Sequence, residues 1–228
     1  MCCLLPLLFL AAPPPGTLIF EDTFERAEAD DAKEQVGNGW STNSKGRAKG
    51  NKQVDLVDGH VHITRHEVAD HGVSLVHDLG FRNGTVTLRV KLRKGDDFGI
   101  NFADRTDKTI HAGHLFQVKF KPNRTELEDM RSARMRLDVR EKRLAGDKSP
   151  ELKKLIADHT EVLDLTVEPG EWHDVRVDVD GDTLRLSVDG ESVGSLTSEG
   201  VAHPAKRTLR LAANKQVWVD DVRVYKRD

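Results

Sequence analysis

Amide, ammonium and guanidinium groups occupy polar positions of three predicted strands in the middle of the chain. In FGINF, Phe98, Ile100 and Phe102 form one side and leave Asn101 on the other, because side chains alternate along a strand. The same alternation in GTVTLRVKL and HLFQVKF completes the set of candidate ligand-binding residues: Arg89, Asn101, Gln117 and Lys119. These groups combine hydrogen-bond donors with acceptors, which suits a hydroxyl-rich ligand; an ordinary solvated sheet face is the alternative.

Histidines supply a second candidate site. His60 and His62 are two residues apart in a predicted strand, so their side chains point the same way and can chelate Zn²⁺ or another transition metal. A third ligand would come from His66, His111 or His114, and the metal would activate water. Surface histidines in a polar protein are the competing interpretation.

Acidic residues near the two ends of the chain form a third candidate. The first and last strands of a sandwich often pair, which would bring Asp22 near Asp220 and Asp221. The alternation changes parity between Val219 and Val222, which indicates a β-bulge there. Clustered carboxylates and freed carbonyls suit Ca²⁺, whereas a charged edge that discourages strand aggregation is the alternative.

The elements that must position these residues are β-strands. From Glu171 the chain reads EWHDVRVDVDGDTLRLSVDGESV, in which apolar and polar residues alternate around Asp-Gly turns at Asp180 and Asp189. This pattern is a strong hairpin signal, because glycine tolerates the positive φ of tight turns. Each strand has one apolar face, so the sequence predicts an all-β sandwich.

One segment departs from this pattern. Arg124 to Leu144 is rich in Arg, Glu and Leu, and Ser149-Pro150-Glu151 fits the start of a second helix. We therefore predict a helical hairpin inserted at about residues 124–160. Its interleaved acidic and basic residues indicate a solvated surface, which could contact a protein partner.

The N-terminus differs in composition from the rest of the chain. In residues 1–16 an apolar run from Leu4 to Ala12 is followed by Pro13-Pro14-Pro15-Gly16, which fits a cleaved signal peptide. Both cysteines, Cys2 and Cys3, lie in this segment, so the mature protein would have no disulfide. We expect an exported protein, periplasmic or extracellular, with a single domain at residues 17–228.

Charge and hydropathy limit the partners. The chain has 35 basic and 38 acidic residues, which leaves a net charge of −3 and no basic field for nucleic acid. The N-terminal apolar run is too short to span a bilayer. We therefore expect neither a nucleic-acid partner nor a stable membrane span.

The order of the strands resembles a known family. The segments VDLVDGHVHI, GTVTLRVKLRKGDDFGINF, HLFQVKF, EWHDVRVDVDGDTLRLSVDGESV and VWVDDVRVY cover most of the chain outside the N-terminus and the helical segment. They are similar to a concanavalin A-like jelly roll, a laminin G-like sandwich, and more narrowly to the 3-keto-disaccharide hydrolase family. The resemblance implies an all-β, concanavalin A-like jelly-roll β-sandwich that hydrolyses 3-keto-glycosides or related glycosidic bonds.

Two functions therefore remain open. The first is an exported protein that binds glycans or processes glycosides, with carbohydrate as its partner. The alternative is a non-catalytic envelope module that makes its contacts through the charged helical insert. We assign no catalytic residue, because retaining glycosidases need two carboxyl groups about 5–5.5 Å apart and we identify no such pair on the polar face of a predicted strand. Calcium is the cofactor that we name, beside the transition metal considered for the histidines.

Overall fold

The structure is a computed structural model that describes residues 14–227, so residues 1–13 of the predicted signal peptide lie outside the described part. Its strands are β1 (Thr17–Asp22), β2 (Ser41–Thr42), β3 (Val54–Val57), β4 (His60–Thr64), β5 (Val73–Phe81), β6 (Gly84–Lys91), β7 (Phe98–Ala103), β8 (His114–Lys121), β9 (Arg124–Asp129), β10 (Thr160–Leu163), β11 (Trp172–Asp180), β12 (Thr183–Val188), β13 (Glu191–Thr197), β14 (Lys206–Ala213) and β15 (Gln216–Lys226). Its helices are α1 (Ser44–Arg47), α2 (Leu137–Leu144) and α3 (Pro150–Asp158).

The strands form two antiparallel sheets, which confirms the all-β prediction. The eight-stranded sheet has the order β13-β12-β11-β6-β15-β4-β3, with β1 paired to β15. The seven-stranded sheet has the order β10-β9-β8-β7-β14-β5-β2. Among residues 14–227, six of the thirteen neighbouring pairs are consecutive in the chain and seven are not, so pairing between distant segments contributes to both sheets.

The hydrophobic core lies between the two sheets. Val86, Leu88 and Val90 of β6 are buried on the inner side of one sheet, and Phe98 and Phe102 of β7 are buried on the inner side of the other. Alternation sends the polar residues of these strands outward. Burial of the inner faces leaves the two outer faces available for ligands.

The ends of the chain pair as the sequence predicts. β1 pairs with the second half of β15, whereas β4 pairs with its first half. The register of β15 against β6 shifts between Asp220 and Arg223, and Asp221 has a φ of 50°. The predicted bulge is therefore present, and it lets one long strand serve two neighbours.

The predicted helix at residues 124–144 is wrong at its start. Arg124–Asp129 is β9, an inner strand that pairs with β8 on one side and β10 on the other. Its side chains alternate, with Thr125 and Leu127 turned to the core and Glu126 and Glu128 turned to the outer face. Glu, Arg and Leu favour helices in isolation, but hydrogen bonding to two neighbouring strands outweighs that preference.

The helical insert therefore occupies residues 130–159, between β9 and β10. The start of α3 is as predicted, because Ser149 accepts a hydrogen bond from the backbone of Leu152 at 3.4 Å and Pro150 is the first helical residue. A helix over 124–144 would place Leu127, Met130, Leu137 and Leu144 along one apolar stripe. In the structure Leu127 and Met130 are buried in or next to β9, whereas Leu137 and Leu144 of α2 are 50% and 69% exposed. In the described part of the chain, no helix has the length and apolar character needed to cross a membrane.

Candidate functional site

Four polar side chains cross the outer face of the seven-stranded sheet in one row. Asn101 on β7 lies opposite Arg210 on β14 and Gln117 on β8, and Gln117 lies opposite Glu128 on β9. Residues directly opposite on neighbouring strands point to the same face. The structure thus brings together Asn101 and Gln117, which the sequence suggested, with Arg210 and Glu128, which it did not. We call these four residues the polar row.

Glu128 is the most enclosed carboxylate of the polar row. It is 1% exposed, accepts a hydrogen bond from Nε2 of Gln117 at 2.7 Å and forms an ion pair with Arg134. Burial raises its pKa, although Arg134 and Gln117 oppose the shift. A carboxyl group with a raised pKa holds a proton closer to neutral pH and is a stronger base once ionised.

Glu126 lies two residues earlier on the same face of β9. It forms ion pairs with Lys121 at 2.6 Å and Arg124 at 2.7 Å. Burial alone would raise its pKa, but hydrogen bonds from these two cations outweigh that effect and lower it. Two carboxyls whose surroundings move their pKa values apart are typical of acid–base pairs in enzymes.

Sequence reasoning missed both glutamates because it placed them on a helix. The signal that would have found them is the alternation in TELED, where Thr125 and Leu127 alternate with Glu126 and Glu128. Two-residue spacing on a strand puts both carboxylates on one side. β9 therefore presents two glutamates on one face, which the predicted helix did not.

Lys119 lies beside the polar row, opposite Gly99 on β7 and Glu126 on β9. Its ammonium group forms an ion pair with Asp97. The same carboxylate accepts hydrogen bonds from the backbone and side chain of Asn214, at 3.0 and 2.6 Å. Lys119 is thus held at the edge of the site and partly neutralised.

A cavity of about 320 Å³ opens on the same face, at the Arg210 end of the polar row. Its lining comes from β2, α1, β5, β14 and the segment between β7 and β8, and consists of Ser41, Thr42, Asn43, Arg47, His71, Ser74, Val76, Arg105, His111, Ala112, His114 and Arg210. We call it the β14 cavity. Its volume is within the range of small-molecule sites.

His114 and Arg210 contact each other in the wall of the β14 cavity. Nη1 of Arg210 lies 2.9 Å from Nε2 of His114. A guanidinium group only donates, so Nε2 accepts and the neutral ring carries its proton on Nδ1. Burial, and then the charge of Arg210, lowers the pKa of His114 to about 3, which keeps the ring neutral at pH 7.

Arg89 does not share this face, which corrects the predicted grouping. β6 belongs to the eight-stranded sheet and β7 to the seven-stranded one, so their polar sides face away from each other. Arg89 lies 5.1 Å from the ring of Trp172 and within 4.0 Å of carboxylate oxygens of Asp174, Asp220 and Asp221. The alternation of a strand gives its polar side but not the sheet that it joins.

His60 and His62 also lie on the eight-stranded sheet, where they contact tryptophans. The ring of His62 stacks on Trp218 at 4.2 Å, and His60 meets Trp172 edge-on at 5.5 Å. Of the three suggested third ligands, His66 lines one pocket with His62, whereas His111 and His114 line a cavity on the opposite face of the sandwich. Among residues 14–227, these histidines do not form a group arranged to hold a metal ion.

Of the three aspartates suggested for calcium, Asp220 and Asp221 share Arg89, whereas Asp22 has partners of its own. The carboxylate of Asp22 is buried and accepts from both terminal nitrogens of Arg26, the indole of Trp40 and the backbone of Phe24, at 2.6 to 2.9 Å. Asp221 accepts from Arg223 at 3.0 Å. Among residues 14–227, no group of three or more His, Cys, Asp or Glu side chains is arranged to hold a metal ion.

The fold is the glycoside hydrolase-like or carbohydrate-binding jelly roll. Similar solved structures include a laminarinase from Flavobacterium sp. UMI-01 (12% identity, 92% of this chain and 100% of that one, TM-score 0.58). The β-glucanase of Bacillus licheniformis is also similar (12% identity, 94% and 100%, TM-score 0.60). So is the carbohydrate-binding module CBM66 of Bacillus subtilis (9% identity, 82% and 96%, TM-score 0.52).

The sequence defines the family more narrowly. Residues 30–225 match the model of the 3-keto-alpha-glucoside-1,2-lyase-like domain, and the chain belongs to that family. The resemblance to 3-keto-disaccharide hydrolases is thereby confirmed. None of the curated proteins matches the sequence.

Proposed function

We propose that the protein binds a 3-keto-glycoside on the outer face of the seven-stranded sheet and cleaves its glycosidic bond. The observation that carries this proposal is Glu128, a buried carboxyl group with a raised pKa at one end of the polar row. The family supports the substrate class, because its description names an α-glucoside with a ketone at carbon 3.

The chemistry of such a substrate needs one well-placed base. The ketone at C3 acidifies the hydrogen on C2, so a carboxylate can remove that proton and leave an enolate. The enolate then re-forms the ketone, creates a C1–C2 double bond and expels the aglycone as an alkoxide, which takes a proton from water. Addition of water to the double bond would complete a net hydrolysis.

The residues of the site fit separate parts of this reaction. We assign proton removal to Glu128, whose raised pKa makes its carboxylate a stronger base. The amides of Asn101 and Gln117 can bind hydroxyl and carbonyl oxygens of the sugar. Arg134 covers Glu128 in the structure, so this ion pair must open when substrate enters.

Binding without cleavage is the second candidate function. It is favoured by the enclosure of Glu128, which is 1% exposed under Arg134. A contact between the helical insert and a protein partner stays a prediction, with the exposed Leu137 and Leu144 in its favour.

Export to the periplasm or the extracellular space is also part of the proposal. It is supported by the composition of residues 1–16. Recovery of a chain shortened at its N-terminus from the periplasm or medium would support it.

A pair of matched substitutions tests catalysis. Glu128→Gln keeps the size of the side chain but removes the base, so we expect release of glucose derivatives from a 3-keto-α-glucoside to fall by about a hundredfold or more. Glu161→Gln on the exposed surface of β10 is the control and should retain full activity. Equal activity of both variants would contradict the assignment, and unimpaired sugar binding with no cleavage by the unmodified protein would favour binding alone.

A further inference from the structure

The β14 cavity has a basic lining, and its charge at pH 7 comes from its arginines. Its lining includes three arginines and three histidines: Arg47, Arg105, Arg210, His71, His111 and His114. Among the described residues that line it there is no Asp or Glu. The acidic groups beside the lining are Asp70, an exposed residue 3.4 Å from Arg47, and Glu34, which accepts a hydrogen bond from Thr42. Positive charge is therefore concentrated in a concave space, where it attracts anions.

Arg210 has no carboxylate partner among the described residues. It is largely enclosed by protein, and its hydrogen-bond partner is the ring of His114, not a carboxylate. Burial and the charge of Arg105 both lower its pKa, which means that its surroundings disfavour the charged form. Buried charges in proteins are normally paired, because loss of hydration is costly.

Two buried hydrogen-bond donors at the cavity also lack acceptors. Nε of Arg210 and Nδ1 of His114 have no hydrogen-bond partner among residues 14–227. Since Nε2 of His114 accepts from Arg210, its Nδ1 carries the proton. A ligand that satisfies both atoms must therefore offer acceptor oxygens, and an anionic one would also neutralise Arg210.

We propose that the β14 cavity binds an anionic substituent of the sugar ligand, namely the carboxylate of a uronic acid or a sulfate ester. This inference rests on the proposed function for the sugar itself and adds the charge of the substrate. Arg210 connects the sugar-binding face to the β14 cavity, because it belongs both to the polar row and to the cavity lining.

The sheet geometry locates the charged unit relative to the reacting one. Arg210 on β14 and Glu128 on β9 are three strand spacings apart, which is about 14 Å. That distance exceeds one sugar ring. The anionic group thus belongs to a neighbouring unit of an oligosaccharide and not to the 3-keto sugar that is cleaved.

Binding of matched ligands to the full chain tests the proposal. The three probes are a neutral oligosaccharide, its uronic acid counterpart and its sulfated counterpart, measured by calorimetry at low salt. We expect at least one acidic probe to bind about tenfold or more tightly than the neutral one, because hydrogen bonds to charged groups are stronger. Preference for the uronate or for the sulfate identifies the natural group. Equal affinity for all three would overturn the proposal.

Arginine substitutions locate the effect. Arg210→Gln should abolish the preference for acidic probes and Arg105→Gln should reduce it severalfold, whereas the control Arg185→Gln, on the exposed surface of β12, should leave it unchanged. Should Arg210→Gln not fold, as judged by circular dichroism, the exposed Arg105→Gln decides the outcome. A preference that survives in the folded cavity variants would overturn the proposal.

A titration with glucuronate or sulfate alone separates this inference from the proposed function. Either anion should shift the imidazole resonances of His111 and His114. Shifts without any cleavage of 3-keto-glycosides would leave the anion site standing and remove only the proposed activity. Cleavage of 3-keto-glycosides without any shift of these resonances would support the proposed activity and overturn the anion site.

Discussion

At the scale of single residues, the surroundings of two glutamates on one strand shift their pKa values in opposite directions. Burial raises the pKa of Glu128, while Lys121 and Arg124 lower that of Glu126. Neither effect is visible in the sequence, because Lys121 reaches Glu126 from another strand and the enclosure of Glu128 comes from the insert. Asn101 and Gln117 were predictable, since alternation alone places them outward.

His114 gives a prediction about pH. Its pKa falls from 6.5 to about 3 through burial and the charges of Arg210, His111, His71 and Arg105. Between these values the unfolded chain binds a proton that the folded protein does not, so the free energy of unfolding falls as the pH decreases from 6.5 towards 3. One such group contributes a slope of up to about 1.4 kcal/mol per pH unit.

Substitution of His114 should therefore flatten the pH dependence of stability. We expect His114→Gln to lose less free energy of unfolding than the unmodified protein between about pH 6.5 and pH 4.5, as measured by urea denaturation. His173→Gln is the control: burial alone would lower the pKa of His173, but the hydrogen bond that its Nδ1 donates to Asp189 raises it. The contribution of His173 to the free energy of unfolding therefore changes above pH 6.5, outside the range tested. Parallel curves for His114→Gln and the unmodified protein would contradict this account.

At the scale of secondary structure, local pattern and non-local pairing differ in what they specify. β11 and β12 were predictable because strict alternation meets at an Asp-Gly-type turn. β9 was not, because its residues favour a helix and its strand state depends on β8 and β10. The sheet to which β6 belongs, and hence the position of Arg89, also depends on pairing with distant segments.

Two leucines test the boundary of the helical insert. Leu127 and Leu144 would share the apolar stripe of a single helix, but in the structure Leu127 is 0% exposed in β9 and Leu144 is 69% exposed in α2. Leu127→Ala should therefore lower the free energy of unfolding by about 2–5 kcal/mol. Leu144→Ala should change it by about 0.5 kcal/mol or less.

Urea denaturation of the two variants measures this difference. A similar loss of stability for both would indicate that Leu127 and Leu144 share one buried helix face, and it would restore the helix at residues 124–144. A Leu127→Ala variant as stable as the unmodified protein would contradict the burial of β9 in the core.

At the scale of the whole molecule, the sandwich limits function to its two outer faces. The inner faces are buried in the core, as the alternation in the sequence predicts. The face of the seven-stranded sheet has the polar row, Glu126 and the β14 cavity. The face of the eight-stranded sheet has Trp172 and Trp218 in contact with Lys91. The sequence could predict which residues of each strand are polar and outward-facing, but not which of the two sheets each strand joins.

The position of the sugar is the most direct test of this account. A crystal structure of the Glu128→Gln protein with a 3-keto-disaccharide should show the sugar against Asn101 and Gln117, with C2 of the keto sugar facing residue 128. A sugar bound instead on Trp172 and Trp218, with the polar row empty, would contradict the central claim.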